Sequence, residues 1–295
     1  MYLGIDIGGT KVAMRAETDS ATIAESAFTW RSDDTADDDI RRLRDHVEDL
    51  RARIDRIDPL AGVGVAMPAT LGPDGRVIAW PNRPTWLGLD LKAVLDKLFP
   101  AVTASWADDG DLAAAAEAHT MGLTDVVYAG VGTGIGGGIV LNGRSVGGRR
   151  GSCELGHLIV DLAGEVCDCG RRGCVQAIAS GPAILRRATR LRRTEVTFAA
   201  LADGFAGRAD WAVEAIRPAS AALATALTGV GELVRPSAIV IGGGFATGIP
   251  GFVDHVASAA AALSRPGHPV APVLSARLGS DSSLHGAVLA ARGLV

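Results

Sequence analysis

The chain is 295 residues long, enough for one large domain or two of medium size. Hydrophobic residues make up 48%, ample for a packed core, and aromatics only 4%, which leaves little to build a base-stacking surface for nucleic acid. The net charge of −4, from 29 basic and 33 acidic residues, argues against a polyanionic partner. No apolar run reaches the roughly 18–20 residues needed to span a bilayer, so no membrane partner is expected. Met1-Tyr2-Leu3 leads straight into a strand without a leader pattern, and the expected compartment is the cytoplasm, where thiols stay reduced.

In chain order, Tyr2–Ile7 reads as a strand, Gly8-Gly9-Thr10 as a glycine turn and Lys11–Ala16 as the returning strand. Residues 17–36 give loop and strand without sharp boundaries. From Asp37 to Ile57 the apolar residues Ile40, Leu43, Val47, Leu50, Ile54 and Ile57 recur three and four apart, which predicts an amphipathic helix. Its acidic start, Asp37-Asp38-Asp39, suits the positive end of the helix dipole, and the Arg and Asp residues among the apolar positions read as a solvated face. Leu60–Met67 is an apolar strand stopped by Pro68, Trp80–Trp86 a loop, and Leu89–Phe99 a short helix. Val102–Trp106 is a strand that delivers Asp108-Asp109 ahead of an Ala-rich helix over Asp111–Met121. Val126–Val131 is a strand, Gly132–Gly138 a glycine loop, Ile139–Leu141 a resumed strand and Asn142-Gly143 a hairpin turn. Residues 145–180 hold a cysteine-rich module, and Ala- and Arg-rich helices follow to about Val234. Ala238–Ile241 is a buried strand ending in Gly242-Gly243-Gly244, and Ser283–Arg292 a closing helix. The strand–glycine–strand pattern near residue 6 recurs near residue 132, which suggests two related halves.

Three of the four cysteines fall within eight positions, at Cys167, Cys169 and Cys174, with His157 ten residues upstream of the first. One His and three Cys form a complete tetrahedral ligand set for zinc, and Gly170 and Gly173 supply the tight turn that lets the thiolates converge. Four protein ligands leave no open coordination position, so the expected zinc is structural. The competing reading is a set of reduced, buried thiols beside an unrelated histidine. Cys153 reads as a small packed residue. Gly132-x-Gly134-x-x-Gly137 matches the dinucleotide fingerprint in letters only, because that motif requires a helix to follow directly and here a strand follows. No P-loop is present. What remains is two hairpins with glycine tips, at Asp6–Lys11 and Gly132–Gly138, whose bare amides can approach phosphate oxygens closely. Ordinary tight hairpins would look the same, but an Asp before the first loop and a glycine triplet after a late strand favour a nucleotide site.

Gly4-Ile5-Asp6-Ile7-Gly8-Gly9-Thr10-Lys11, Cys153-Glu154-Leu155-Gly156-His157, the Cys167–Cys174 cluster and Gly242-Gly243-Gly244 resemble, in order, the motifs of the ROK family (repressors, open reading frames and kinases). The resemblance runs over essentially the whole chain. It implies an α/β, two-domain actin-like ATPase (ribonuclease H-like) fold with a cleft between domains and a structural zinc module. The implied small N-terminal domain covers 1–112, with the helix at about 281–295 packing back on it; a larger C-terminal domain covers 113–280, with the zinc module at 153–180. It implies an ATP-dependent hexose 6-kinase using ATP, Mg2+ and Zn2+, acting as a homodimer. Asp6 sits at the position that orients magnesium, often through water. Gly8, Gly9, Thr10 and Lys11 match the first phosphate loop, Gly132, Thr133 and Gly134 the second, and Gly242 and Gly243 the adenosine-side turn. Asp108-Asp109-Gly110-Asp111, continuing to Glu117, aligns with the family's Asn-Asp-x-Asn stretch, which makes Asp109 the implied general base on the sugar 6-hydroxyl. Outside the resemblance, Asp109 would read as a helix N-cap. Asn82, Glu154 and His157 match sugar-hydroxyl contacts, with one imidazole nitrogen of His157 left for zinc.

Three departures bear on the substrate. Asp108 replaces an Asn, Gln176 replaces a Glu and Cys153 replaces a Gly. The Asn position faces the C3–C4 side of the hexose in relatives and the Glu position the C1–C2 side. Negative charge is thus added beside Asp109, where two carboxylates repel unless a cation lies between them. An ammonium at C3 would supply that cation, so the expected substrate is 3-amino-3-deoxyglucose (kanosamine), ahead of a 2-amino sugar, which the loss of charge at Gln176 disfavours. A plain glucokinase, an N-acetylated hexosamine kinase and a catalytically silent sugar sensor are the alternatives. A repressor would need a DNA-binding segment before the first strand, and the chain starts at that strand.

Overall fold

The computed structural model describes residues 1–54, 57–80, 82–146 and 153–295. The chain divides into two compact units: Met1–Ala116 with Asp281–Val295, and Glu117–Val146 with Cys153–Ser280.

In the first unit, β1 (Tyr2–Ile7), β2 (Lys11–Glu17) and β3 (Thr22–Thr29) form an antiparallel meander. Helix α1 (Ala36–Ile54) follows, then β4 (Gly62–Ala66), the short hairpin β5 (Thr70–Leu71) and β6 (Val77–Ala79), α2 (Leu91–Leu98), β7 (Ala104–Ala107) and α3 (Asp109–Met121). The main sheet has the order β3-β2-β1-β4-β7, with β1, β4 and β7 parallel. Thr35 and Asp38 cap α1 reciprocally: the Asp38 amide donates to Thr35 Oγ1 at 3.3 Å, and the Thr35 amide to Asp38 Oδ2 at 3.1 Å. The stripe Leu43, Val47, Leu50 and Ile54 is fully buried, each side chain contributing about 1.5–3 kcal/mol by leaving water. The helix does not reach Ile57, which lies in a turn and is 61% exposed; residues 55 and 56 lie outside the described set. Asp39, one of the three acids expected at the positive end of the helix dipole, is completely buried. The loop expected over Trp80–Trp86 contains a single 3-10 turn, Pro84–Trp86, and Pro81 within it is not described.

The second unit repeats the same strand order. Strands β8 (Val126–Val131), β9 (Ile135–Leu141) and β10 (Arg144–Ser145) form an antiparallel meander, and β11 (Ala238–Gly242) and β12 (Val273–Ser275) add in parallel to β8, giving β10-β9-β8-β11-β12. Helices α4 (Val175–Ala179), α5 (Gly181–Arg192), α6 (Phe198–Ala206), α7 (Asp210–Val234), α8 (Gly244–Thr247) and α9 (Phe252–Ala261) complete it. The apolar faces of β8, β11, α5, α7 and α9 share one core around Val127, Ile184, Ile216, Ile239 and Phe252. The expected glycine loop over 132–138 is shorter in fact. Gly136, Gly137 and Gly138 lie in β9, paired with Gly130, Ala129 and Tyr128. Gly137 is in the strand because a Cβ there would lie 2.3 Å from Leu155 Cδ1 and 2.5 Å from the Tyr128 carbonyl oxygen. Its absence lets the Leu155–His157 turn lie directly on the sheet.

The chain ends in α10 (Ser282–Ala291), which packs on β1 and β4 of the first unit. A Cβ on Gly64 would sit 1.9 Å from the Ala287 carbonyl oxygen, and one on Gly62 2.1 Å from that of Ala291. These glycines explain how a helix approaches the strands so closely. No helix among the described residues is long and apolar enough to cross a membrane.

Candidate active site

Both units carry their glycine turns at the carboxyl ends of parallel strands, where loops are free to present backbone amides to a ligand. In the first unit Asp6 is the penultimate residue of β1. Ser283 Oγ donates to Asp6 Oδ2 at 2.6 Å, and burial raises the Asp6 carboxyl above its ordinary range against the opposing pull of that bond and of Lys11. The Gly8 amide closes the turn onto the Lys11 carbonyl at 2.9 Å. Asn82 touches this turn: a Cβ on Gly9 would lie 2.6 Å from Asn82 Cβ.

Strand β7 leads into α3, and the helix starts two residues earlier than its sequence pattern indicates, at Asp109. Asp108 is therefore the capping residue. Its Oδ1 accepts from the Gly110 amide at 2.9 Å, and its carbonyl accepts from the Leu112 amide at 3.0 Å. The cap role that Asp109 would have played outside the family resemblance belongs to its neighbour. Asp109 is pushed up to about 7, first by burial, then by the charges of Asp108 and Asp6. A side-chain hydrogen bond with Asp108 adds the smallest part of that rise. Asp111, one turn on, is buried and also raised to about 7, by burial and then by Asp108; its Oδ1 has no hydrogen-bond partner.

In the second unit the turn between β8 and β9 is closed by the Gly132 amide on the Gly134 carbonyl, 2.9 Å, and anchored by the Gly181 amide on the Gly132 carbonyl, 2.9 Å. Gln176 Oε1 accepts from the Ile135 amide at 3.0 Å. Its oxygen is thus engaged by the glycine turn, which fixes the orientation of the side-chain amide. After β11, Gly243 has φ +84°, and a Cβ there would meet the Val131 carbonyl oxygen at 2.4 Å. Thr133, Gly132 and Gly244 border an apolar recess of about 390 Å³ walled by Pro182, Leu185, Phe198 and Phe245. None of these four walls was marked by a sequence motif; they come from helices distant in the chain.

The cysteine-rich loop brings His157, Cys167, Cys169 and Cys174 together, with their ligand atoms all within 4.8 Å of one another. Cys167 Sγ lies 3.7 Å from His157 Nδ1, and Cys169 Sγ 3.7 Å from Cys174 Sγ. A tetrahedron with metal–sulfur bonds of about 2.3 Å has edges of about 3.8 Å. The donor set and its spacing therefore fit zinc, and none of the four cysteines is in a disulfide. Gly170 and Gly173 both adopt positive φ, and a Cβ on Gly173 would overlap the Asp161 carbonyl oxygen at 1.6 Å. The Arg171 amide lowers the Cys169 thiol to about 6, toward the thiolate a metal needs. The other ring nitrogen of His157, Nε2, lies 3.9 Å from Glu154 Oε2, so the histidine has one side toward the thiols and one toward Glu154. Cys153 packs against the core of the second unit. Residues 147–152, at the start of the cysteine-rich stretch, are outside the described set.

The model of the ROK family matches residues 2–293. This chain is a member of the ROK family. The ROK chain is 52% identical over 295 residues to a kanosamine kinase of Amycolatopsis mediterranei, a match covering 100% of this chain and 96% of that protein. Among solved structures, it superposes on a ROK hexokinase from Thermus thermophilus with TM-score 0.86 at 28% identity, covering 99% of this chain and 97% of that one. It also matches a ROK family glucokinase from Streptomyces griseus, solved with glucose and AMPPNP, with TM-score 0.82 at 25% identity and 99% coverage of both chains.

Ser283, one residue of the small-residue closing helix, carries no motif signal, while Glu117 closes the aligned Asp108–Glu117 stretch without any local sign of its partners. Glu117 is fully buried, and its carboxylate accepts from the Arg277 and Leu278 amides at 2.8 and 3.0 Å, tying α3 to the segment that precedes α10.

Proposed function

We propose that this ROK protein transfers the γ-phosphoryl group of ATP to the 6-hydroxyl of 3-amino-3-deoxyglucose (kanosamine), with glucose a poorer substrate. The observation that carries the reading is Asp108 capping α3 directly beside Asp109, whose carboxyl is raised by desolvation and then by the Asp108 charge. The full-length similarity to a kanosamine kinase supports it. Two adjacent carboxyls repel, which together with desolvation holds Asp109 toward its protonated form. A C3 ammonium held by Asp108 relieves the repulsion through a charge-assisted hydrogen bond, and leaves Asp109 ionised. Asp109 then accepts the O6 proton as the bond from O6 to the γ-phosphorus forms and the bond from that phosphorus to the bridging oxygen of ADP breaks.

The remaining residues position and neutralise. The amides of Gly8, Gly9 and Thr10, with Lys11, and those of Gly132, Thr133 and Gly134 hold phosphate oxygens; the Gly242–Gly243 turn and the apolar recess beside it take the adenosine. Asp6, buried and fixed by Ser283, would hold Mg2+ through water. When bound, that ion supplies charge neutralisation to the transferring phosphoryl group. Asn82, Glu154 and His157 orient sugar hydroxyls, and Gln176, held by the Ile135 amide, presents its side-chain NH2 to the sugar. His157, Cys167, Cys169 and Cys174 would hold Zn2+, which fixes the His157 tautomer and shapes the sugar side without entering the chemistry. We read the paired five-stranded sheets of identical order as the actin-like ATPase fold.

The test is a kinase assay run side by side on glucose, N-acetylglucosamine, mannose, 2-aminoglucose and 3-aminoglucose. The highest kcat/KM is expected for the 3-amino sugar. Asp108→Asn should lower the ratio of kcat/KM for the 3-amino sugar to that for glucose by about 1.5–3 kcal/mol, the worth of one hydrogen bond to a charged group. A second reading, plain glucokinase, draws on the cap bond from Gly110 to Asp108, which gives that carboxylate a structural use without any amine. Preference for glucose, or an equal effect of Asp108→Asn on both sugars, would establish it.

A further inference from the structure

The interior of the first unit holds a buried ion pair that the chemistry above does not use. Asp39 of α1 is completely buried and Arg83 is 8% exposed. Arg83 Nε donates to Asp39 Oδ2 at 2.8 Å, and its second guanidinium nitrogen donates to Asp39 Oδ1 and, at 3.1 Å, to the Arg31 carbonyl. Trp86 Nε1 donates to the same Asp39 Oδ2 at 2.8 Å. The carboxylate thus accepts three hydrogen bonds, two of them the forked pair that only arginine can supply.

Both arms of this cluster lead to the candidate site. Arg83 adjoins Asn82, whose Cβ is 2.6 Å from where a Gly9 Cβ would be. The Arg83 guanidinium also lies over the Trp30 ring, 4.9 Å from its centre. Trp30 in turn holds the first glycine turn twice: its ring Nε1 donates to the Gly8 carbonyl at 2.9 Å, and its backbone amide donates to the Thr10 carbonyl at 2.9 Å. Trp30 and Trp80 pack edge-on against Trp86 at 5.9 and 5.0 Å between ring centres, which closes the cluster to water.

Burial of an ion pair is poorly explained by stability. Desolvation of the two charges offsets most of their attraction, and apolar residues of similar volume often serve as well. What the pair supplies and apolar packing does not is direction. We propose that Asp39 is a positioning residue for substrate: through Arg83 and Trp86 it holds the Asn82 loop and the Gly8–Thr10 turn at one fixed spacing. The inference rests on the reading of Asn82 as a sugar contact and of Gly8–Thr10 as a phosphate loop.

The test replaces the ion pair with apolar groups, in the double variant Asp39→Leu/Arg83→Met, and separately weakens its fork in Arg83→Lys. Thermal melting, sugar KM and kcat are measured for each, beside Asn82→Ala. The double variant is expected to stay folded, yet to raise the sugar KM roughly three- to thirtyfold, the range for residues that act on a site through packed neighbours. The fall in kcat at saturating sugar should be smaller than the rise in KM. Arg83→Lys should move KM in the same direction, and it carries the test if the double variant does not fold. A folded variant with the wild-type sugar KM overturns the inference, because a merely structural pair would be replaced without kinetic effect. If Asn82→Ala itself leaves the sugar KM unchanged, the assignment of Asn82 fails, and the inference with it. If Asn82→Ala raises KM and the ion-pair variants do not, only the inference falls.

Discussion

Asp108, Asp109 and Asp111 are three acids of one helical turn with three different situations. Asp108 spends one oxygen on the helix cap, and this leaves Asp109 half-buried inside the first turn, where desolvation and then the Asp108 and Asp6 charges raise it to about 7. A general base works in its ionised form, so kcat/KM should fall as pH drops through about 7, and a pH–rate profile checks this. Asp109→Asn should bind ATP nearly as the parent does and lose roughly 10²-fold or more in kcat; near-normal turnover in single-turnover assays would make Asp109 a structural residue. Asp111 gives a stability prediction. Its carboxyl is raised from an ordinary 3.8 to about 7 in the folded state. A raised pKa favours the fold at low pH, where the group is protonated in both states, and that contribution is lost as pH rises through about 7. Asp111→Asn should therefore raise the melting temperature more at pH 8 than at pH 5. A shift of equal size at both values would mean that the carboxyl is not held up by burial.

At the scale of elements, the cysteine-rich loop and the late glycine turn are fixed by positions where a side chain cannot fit. One zinc per chain is expected by elemental analysis. Cys174→Ser, or removal of the metal by a chelator, should lower the melting temperature and the folded yield, because a structural metal contributes directly to folding. Full activity in a folded, metal-free protein would rule the site out. Gly243 is at φ +84° with the Val131 carbonyl 2.4 Å from its missing Cβ. At ψ 143° this backbone region is essentially restricted to glycine, so Gly243→Ala carries a strain of about 1–3 kcal/mol in addition to that clash. It should raise the KM for ATP more than that for sugar. The elements also show where periodicity misleads. Asp39 falls at the start of α1 among other acids, where the helix dipole alone accounts for it. Its partner is 44 residues away in a loop, so nothing local could mark it as buried.

For the molecule as a whole, ligands that bind only the folded state stabilise it by mass action, about 2.7 kcal/mol at a concentration of 100 times Kd. The nucleotide and the sugar should each raise the melting temperature, and 3-aminoglucose should do so more than glucose at equal concentration; the reverse order would favour the glucokinase reading. The glycine motifs, the spacing of His157 and the three cysteines, and the repeat of strand–glycine–strand were all legible in the linear sequence. Each rests on local chemistry: a turn that needs glycine, or a ligand set gathered by a short loop. The repeat corresponds to two sheets of the same strand order. What the linear order could not carry were the pairings set by packing. Ser283 meets Asp6 across 277 positions, Arg83 meets Asp39 and Trp86, and Phe198 and Phe245 wall one recess with Pro182. The same holds for which aspartate caps α3, since that depends on where β7 stops and how the helix is seated. The sequence by itself determined the glycine turns and the spacing that gathers His157 with the three cysteines; only the tertiary structure decided which polar groups are buried together, because desolvation and hydrogen bonding depend on neighbours distant in the chain.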